Sequence, residues 1–172
     1  HIYGEQLGDY QISLANWVRE QTFKYAMNRH TNPGRKKYTS KKKRMTEQLH
    51  SYINKEINYF LRTEKPKVIY IPKLPKTQKH RGSKEINHSV AMWQRGYIRK
   101  RLQQKCKEQS IEVVEVFGKD ISNECSKCGA IGTKKNGIFI CPKCGYQIQQ
   151  KINTACNAKK RGQQEAFKNN QR

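Results

Sequence analysis

One stretch of the chain has a clear helical period of apolar side chains. In residues 43–64, an apolar side chain recurs at every fourth position, which places the set on one face of an α-helix. These positions are Met45, Leu49, Ile53, Ile57 and Leu61. Pro66 follows, and proline cannot continue a helix because it lacks a backbone N–H. The pattern predicts an amphipathic helix over residues 43–64.

A second region reads as strand, helix and strand. Residues 68–71 and 111–117 are short runs rich in β-branched residues, which favours strands. Between them, residues 84–108 carry apolar side chains roughly on one side of a predicted helix. These are Ile86, Val90, Trp93, Tyr97, Leu102 and Cys106. This order predicts a right-handed crossover between two parallel strands.

The remaining segments give weaker patterns. Residues 1–27 are predicted to form short strands, at residues 2–3, 10–18 and 21–25. Residues 28–44 have no apolar periodicity and are predicted to form a basic loop. A last helix is expected over residues 147–160, followed by a polar tail. The first residue is not methionine, so we expect a longer protein of which this is the C-terminal part.

Charge points to the class of partner. The chain has 36 Lys and Arg residues against 13 Asp and Glu residues, a formal net charge of +23. Solubility alone needs a net charge of only about 2–8 in a small domain. The excess indicates a polyanion, above all nucleic acid, with an acidic membrane surface or another acidic partner as alternatives. No apolar run approaches the roughly 20 residues that span a bilayer. Of these partners we expect nucleic acid, and we expect neither a membrane partner nor a small-molecule substrate.

The basic side chains best placed to bind phosphates fall in three segments. These are the predicted basic loop, the connector after the first predicted long helix and strand, and the polar side of the second predicted helix. The candidates are Arg35, Lys36, Lys37, Lys41, Lys42, Lys43, Arg44, Lys76, Lys79, Arg81, Lys84, Arg95, Arg99, Lys100 and Arg101.

Four cysteines have the spacing of a metal site. Cys125 and Cys128 form one Cys-x-x-Cys pair, Cys141 and Cys144 form another, and twelve residues separate the pairs. Four thiolates close a tetrahedral Zn²⁺ site with no open position, which is typical of structural zinc. Two disulfides or a redox Cys-x-x-Cys motif are the alternatives, but the sequence shows no secretory signal and a reducing compartment favours metal. The sequence therefore predicts a zinc ribbon over residues 121–146.

The residues around these cysteines resemble the TnpB family, transposon-encoded RNA-guided proteins related to compact type V CRISPR effectors. The matching runs are Ser122-Asn-Glu-Cys125-Ser-Lys-Cys128-Gly129, Cys141-Pro-Lys-Cys144-Gly145-Tyr146 and Ile152-Asn153-Thr154-Ala155. The resemblance implies an α/β fold of the RNase H (RuvC) type, a mixed sheet with flanking helices. It would comprise residues 1–120 and 147–172, with the zinc ribbon inserted between them.

The resemblance also implies where catalytic carboxylates would stand. Nucleases of this kind hold Mg²⁺ ions with acidic side chains, and the corresponding positions here are Gln6, Pro72 and Lys151. We therefore expect no catalytic Mg²⁺ and a nuclease-dead protein. If the alignment is shifted by a few residues, Glu5 or Asp9 would stand near the first position.

The function implied is RNA-guided DNA binding without cleavage, with transcriptional repression by occupancy of the target. Its partners would be a guide RNA and a double-stranded DNA target, in a prokaryotic cytoplasm close to the nucleoid. Two other functions stay open on the sequence. One is an active Mg²⁺-dependent RNA-guided DNA endonuclease, and the other is a zinc-ribbon nucleic-acid-binding protein that uses no guide.

Overall fold

A computed structural model describes residues 1–27, 35–73 and 93–169. In chain order, its elements are α1 (Leu7–Met27), α2 (Arg35–Glu64), β1 (Val68–Lys73), α3 (Arg95–Glu108), β2 (Glu112–Phe117), β3 (Thr133–Lys135), β4 (Ile138–Ile140), β5 (Gln147–Gln149) and α4 (Gln150–Asn169). The chain divides into two compact units. The helical unit comprises residues 1–66 and 77–110, and the ribbon unit comprises residues 67–76 and 111–172. In the part of the chain described, no helix is long and apolar enough to cross a membrane.

The apolar face predicted for residues 43–64 is confirmed in helix α2, and the helix is longer than predicted. Leu49, Ile53, Ile57 and Leu61 are all buried, as their four-residue spacing predicts. The helix begins at Arg35, so the part of the predicted basic loop within it, residues 35–44, is helical. Lysine and arginine are good helix formers, and adding turns to an existing helix costs far less than nucleating one. Absence of apolar periodicity therefore did not mean absence of helix.

The predicted short strands in residues 1–27 are wrong, because most of this segment is helix α1. Leu14, Ala15 and Val18 are buried, and this spacing repeats with the period of a helix rather than a strand. The hydroxyl of Thr22 donates to the Val18 carbonyl oxygen at 2.8 Å, one turn back. Packing of this apolar face against α2 decides the structure over the local strand preference of scattered β-branched residues.

In the ribbon unit, β1 and β2 pair in parallel, as predicted. The register aligns Val68 with Glu112 and Lys73 with Phe117. Val116, Ile121 and Ala158 form the core of this part, and Tyr70 packs against it.

In the helical unit, helix α3 begins at Arg95. Residues 84–92 of the predicted second helix lie outside the described residues.

The ribbon itself is the three-stranded antiparallel sheet β3–β4–β5. Asn136 and Gly137 join β3 to β4 with φ of 49° and 79°, the left-handed pair that a two-residue type I′ hairpin requires. Residues 147–149, predicted as helix, instead form β5 because they pair with β4. Helix α4 then continues beyond residue 160 to Asn169.

The compact units differ from the predicted domain boundaries. The prediction separates the ribbon from everything else, whereas the ribbon unit joins the ribbon to β1, β2 and α4. The fold is a mixed α/β arrangement of helices and small sheets. The described residues contain a two-stranded parallel sheet and a three-stranded antiparallel sheet, and the RNase H assignment stays a prediction.

Candidate metal centre and nucleic-acid interface

The four predicted cysteine ligands converge at one point. Their Sγ atoms all lie within 4.8 Å of one another. The Sγ atoms of Cys125 and Cys144 are 3.7 Å apart, and those of Cys128 and Cys141 are 3.5 Å apart. A tetrahedral zinc site with Zn–S bonds of about 2.3 Å has sulfur atoms about 3.8 Å apart, whereas a disulfide needs about 2.05 Å. The cluster therefore has the dimensions of a tetrahedral metal site and not of two disulfides.

Each cysteine pair is shaped by the same turn. The backbone N–H of Gly129 donates to the Cys125 carbonyl at 2.9 Å, and that of Gly145 donates to the Cys141 carbonyl at 3.0 Å. Both glycines have positive φ, 78° and 68°, a conformation that a side chain would strain. The glycine after each second cysteine thus allows the chain to wrap around the sulfur atoms.

The close contact of the thiols shifts the pKa values of Cys141 and Cys144 in opposite directions. Burial raises the pKa of Cys141, but hydrogen bonds from the Cys144 backbone N–H and from the Cys144 and Cys128 thiols outweigh it and lower the pKa to about 6. A backbone N–H bond from Tyr146 lowers the pKa of Cys144, whereas burial and the surrounding thiols raise it to about 12. Neighbouring thiols cannot all ionise together unless a cation compensates them. A divalent metal ion supplies that compensation.

Two asparagines of α4 support the first cysteine pair. Asn153 is fully buried; its Oδ1 accepts from the Ser126 backbone N–H at 2.9 Å and its Nδ2 donates to the Glu124 carbonyl at 2.7 Å. One turn later, Asn157 donates to the carbonyls of Ile121 and Glu124 at 2.9 and 2.8 Å. Helix α4 therefore fixes the ribbon backbone on both sides of Cys125. Sequence reasoning used Asn153 only as part of a family motif and missed Asn157. The signal was a pair of asparagines four residues apart on the buried face of a helix.

Arg161 ties the end of β2 to the start of the ribbon. Its Nη2 lies 2.7 Å from the carboxylate of Glu124. Its Nη1 donates to the backbone carbonyls of Phe117 and Lys119. The guanidinium also lies over the Phe117 ring, 5.9 Å from the centroid. One side chain of α4 thus satisfies the carbonyls where the chain leaves the parallel sheet, a role that the sequence did not reveal.

The three positions expected to replace catalytic carboxylates lie in different elements. Pro72 is in β1 opposite Val116, and Lys151 is the exposed second residue of α4. Gln6 lies just before α1, where its backbone N–H donates to the Tyr52 hydroxyl at 3.2 Å. The strand predicted at residues 2–3, before this position, is wrong, because residues 1–6 form no strand and helix α1 follows them. The alternatives Glu5 and Asp9 are both exposed.

Among residues 1–27, 35–73 and 93–169, one group of three or more His, Cys, Asp and Glu residues has ligand atoms close enough to hold a metal ion. That group is the cysteine cluster. The structure thus brings the predicted metal ligands together and shows no corresponding carboxylate group within these ranges.

The predicted phosphate-binding residues occupy two helices. Residues 35–44, at the start of α2, contain seven basic residues and no acidic one. Of those with described side chains, Lys42 is half-buried and the others are exposed. On α3, Lys100 is exposed, whereas the Arg101 Nε donates to the Asn54 Oδ1 at 2.9 Å. Arg101 therefore helps to join α3 to α2. Outside the described residues lie Lys76, Lys79, Arg81 and Lys84.

Two aromatic residues predicted on the apolar side of the second helix have different surroundings. Trp93 is 47% exposed, although the sequence pattern places it on the apolar side of the predicted helix. It lies before the first turn of α3, with the Arg95 guanidinium 5.9 Å from its ring centroid. Tyr97 is half-buried and stacks on His50 of α2, with ring centroids 3.6 Å apart.

Comparison with known proteins supports the predicted family. Residues 96–158 match the family model "Cas12f1-like, TNB domain". Among solved structures, the cryo-EM structure of a Cas12f1–sgRNA–target DNA complex is similar, with a TM-score of 0.58 and 19% sequence identity. The match covers 85% of this chain and 41% of the other, so this chain spans less than half of that relative. No curated protein matches the chain. Residues 96–158 therefore resemble the Cas12f1-like TNB domain, and the chain as a whole has a fold similar to that of Cas12f1, in agreement with the family that its cysteine motifs resemble.

Proposed function

We propose that this chain is part of an RNA-guided DNA-binding protein that occupies its target without cutting it. The similar solved structure is a complex of Cas12f1 with guide RNA and target DNA, which supports the same two partners here. A net charge of +23 suits a protein that holds nucleic acid through phosphate contacts. We further propose that Zn²⁺ is the metal of the cysteine cluster, because four thiolates in tetrahedral array are its preferred structural site.

The proposed loss of cleavage rests on the identity of two residues. Mg²⁺ needs oxygen ligands, preferably charged ones. Pro72 offers no side-chain oxygen, and Lys151 carries an ammonium group that repels a dication. The carboxylates that the family resemblance implies are thus replaced at two positions, of which Lys151 lies within the segment that matches the TNB domain.

The position of Lys151 suits phosphate better than metal. It lies in the first turn of α4, which contains no acidic residue. The N-terminal end of a helix carries a partial positive charge that favours anions. A basic residue at this end lowers the stability of the helix when no anion is bound. Binding of a phosphate offsets that loss. A lysine in place of the carboxylate that the resemblance implies therefore favours DNA retention over DNA cleavage.

Repression follows from occupancy. In guided systems, base pairing with the RNA reads the sequence while the protein holds the duplex through its backbone. A complex that binds and does not cut excludes other proteins from the same DNA. Repression, and with it a place at the nucleoid, is part of the proposal and needs no recruiting residue.

The test uses the full-length protein purified with its bound RNA. That RNA is sequenced, and a matching DNA duplex is added with Mg²⁺, with an unmatched duplex of equal length as control. The expected result is retardation of the intact matching duplex alone. Cleavage would overturn the proposal in favour of an active endonuclease. Absence of a defined RNA, with both duplexes bound equally, would favour a guide-independent zinc-ribbon protein.

A further inference from the structure

Aromatic rings of α1 and α2 meet beside the basic start of α2. The rings of Trp17 and Tyr38 stack with centroids 5.3 Å apart and planes inclined by 17°. Tyr25 meets Tyr38 edge-on at 5.5 Å. The Lys41 ammonium lies 5.2 Å from the Trp17 centroid, and the Lys42 ammonium lies 6.0 Å from the Tyr38 centroid. We call these five residues the aromatic–lysine cluster.

The cluster differs from the rest of the contact between these helices in its two cation–π contacts. Elsewhere α1 and α2 bury aliphatic side chains such as Leu14 and Leu49, and Tyr10 stacks on Tyr52. The rings of Trp17, Tyr25 and Tyr38 are only half-buried, so part of their surface stays accessible. Aromatic rings interleaved with cations are the composition of sites that bind single-stranded nucleic acid.

The lysines over the rings do not prevent stacking by a base. A cation–π contact at an exposed site favours the bound state by about two- to fivefold. Stacking of one base on an aromatic side chain contributes roughly five- to 150-fold. A base therefore displaces an ammonium group from a ring. The long lysine side chain then remains within reach of the phosphates that flank that base.

Charge complementarity selects the kind of occupant. The first turn of α2 has no acidic residue, and Lys36 and Lys37 add positive charge at the end of the helix that already favours anions. A polyanion neutralises this excess. Duplex DNA would meet the lysines, but its bases are already stacked on one another and would leave the rings unused. An unpaired strand uses both the rings and the lysines.

We propose that the aromatic–lysine cluster binds unpaired bases of a single-stranded nucleic acid, with its rings stacked on bases and its lysines on the flanking phosphates. This inference rests on the proposed nucleic-acid-binding function and names the strand form that this surface takes. RNA and DNA share the required chemistry.

The first experiment uses tryptophan fluorescence of the full chain. The sequence has two tryptophans, so Trp93→Phe leaves Trp17 as the reporter. The probes are ten-nucleotide oligo(rU), oligo(dT), an abasic DNA strand of the same length and a ten-base-pair duplex. Quenching is expected with oligo(rU) or oligo(dT), and the two arms distinguish RNA from DNA. Equal quenching by the abasic strand or the duplex would overturn the proposal.

Variants separate stacking from phosphate binding. Tyr38→Leu should weaken oligo(dT) or oligo(rU) binding roughly five- to 150-fold and leave the abasic strand unaffected. The matched control is Phe60→Leu, another aromatic residue of α2 that lies outside the cluster. Lys41→Gln with Lys42→Gln should lower the salt slope of binding by about 1.4, or about 0.7 per phosphate on a single strand, and preserve quenching. Unchanged affinity of a folded Tyr38→Leu variant would also contradict the site.

The proposal and the proposed function fail in different ways. If no guide RNA co-purifies but base-dependent quenching persists, the single-strand site is supported and the guided function is overturned. If guided binding is intact and Trp17 does not respond to any unpaired base, the single-strand site alone is wrong.

Discussion

The two compact units are stabilised by different means. The helical unit buries a continuous aliphatic face, with Leu49, Ile53, Ile57 and Leu61 on α2 alone. In the ribbon, the buried cluster consists of Phe139 and two cysteines, with three partly buried residues around it. A set of three-residue strands with so small a core cannot offset the entropy of folding by hydrophobic burial. The comparison indicates that a metal ion stabilises the ribbon and that side-chain packing stabilises the helices.

Loss of a cysteine ligand tests this comparison with the largest expected effect. Structural zinc contributes about 10–16 kcal/mol of apparent binding free energy in small zinc domains. Cys141→Ser should therefore release the metal and unfold the ribbon, while α1 and α2 keep their helical structure. Metal content by mass spectrometry and amide hydrogen exchange would measure both. The control is Cys156→Ser, because Cys156 is half-buried and lies outside the cluster. This variant should retain the metal of the ribbon. Retention of a protected ribbon without metal would contradict the comparison.

A cavity in the helical unit should destabilise the helices and leave the metal in the ribbon. Leu49 is fully buried on α2, and truncation of a buried leucine to alanine costs about 2–5 kcal/mol. Leu49→Ala should lower the thermal stability of the helical unit and leave the metal content unchanged. Ile12→Ala, at an exposed position of α1, is the matched surface control. Release of metal by Leu49→Ala would show that the two units are not stabilised separately.

The same contrast explains what the sequence predicted and what it did not. Metal ligands follow fixed spacings, so the four cysteines and their glycines could be identified directly. The apolar face of α2 was equally clear because it repeats at every fourth position. Residues 1–27 were misread because the choice between strand and helix there depends on burial of Leu14 and Val18 against α2, a contact remote in sequence. The supporting role of Asn153 and Asn157 was missed because their partners are backbone atoms, so nothing in the sequence of those partners marks the contact.

The basic segment teaches a related lesson. Residues 35–44 lack apolar periodicity, and the sequence therefore favoured a loop. Helix α2 includes them because lysine and arginine extend a helix that is already formed. The positive charges themselves were easy to predict. Their combination with Trp17 and Tyr38 was not, since it depends on the pairing of two helices.

Replacement of Asn153 tests how much α4 stabilises the ribbon. Asn153→Leu leaves the Ser126 N–H without its side-chain partner, whereas the Glu124 carbonyl keeps its bond from Asn157. A buried unpaired group costs about 1–3 kcal/mol. The ribbon should lose stability and bind its metal more weakly in competition with a chelator. Asn157→Leu removes bonds to two carbonyls but leaves the Ser126 N–H paired, so its effect should be smaller. Equal effects of the two substitutions would contradict the role assigned to Asn153.

The smallest effect tests packing inside the ribbon unit where no metal takes part. A Cβ atom added to Gly162 of α4 would lie 2.0 Å from Cδ1 of Tyr70 on β1, so the ring or the helix must move. Overpacking of this kind costs about 1–3 kcal/mol, and Gly162→Ala should lower the midpoint of chemical unfolding without changing the metal content. Gly96→Ala on α3 is the control, because an added Cβ atom meets nothing within 4 Å there. Tyr70→Leu combined with Gly162→Ala should recover part of the loss, since a smaller side chain leaves room for the methyl group. If both glycine variants unfolded at the same denaturant concentration, the close contact between α4 and β1 would not contribute to the stability of the ribbon unit.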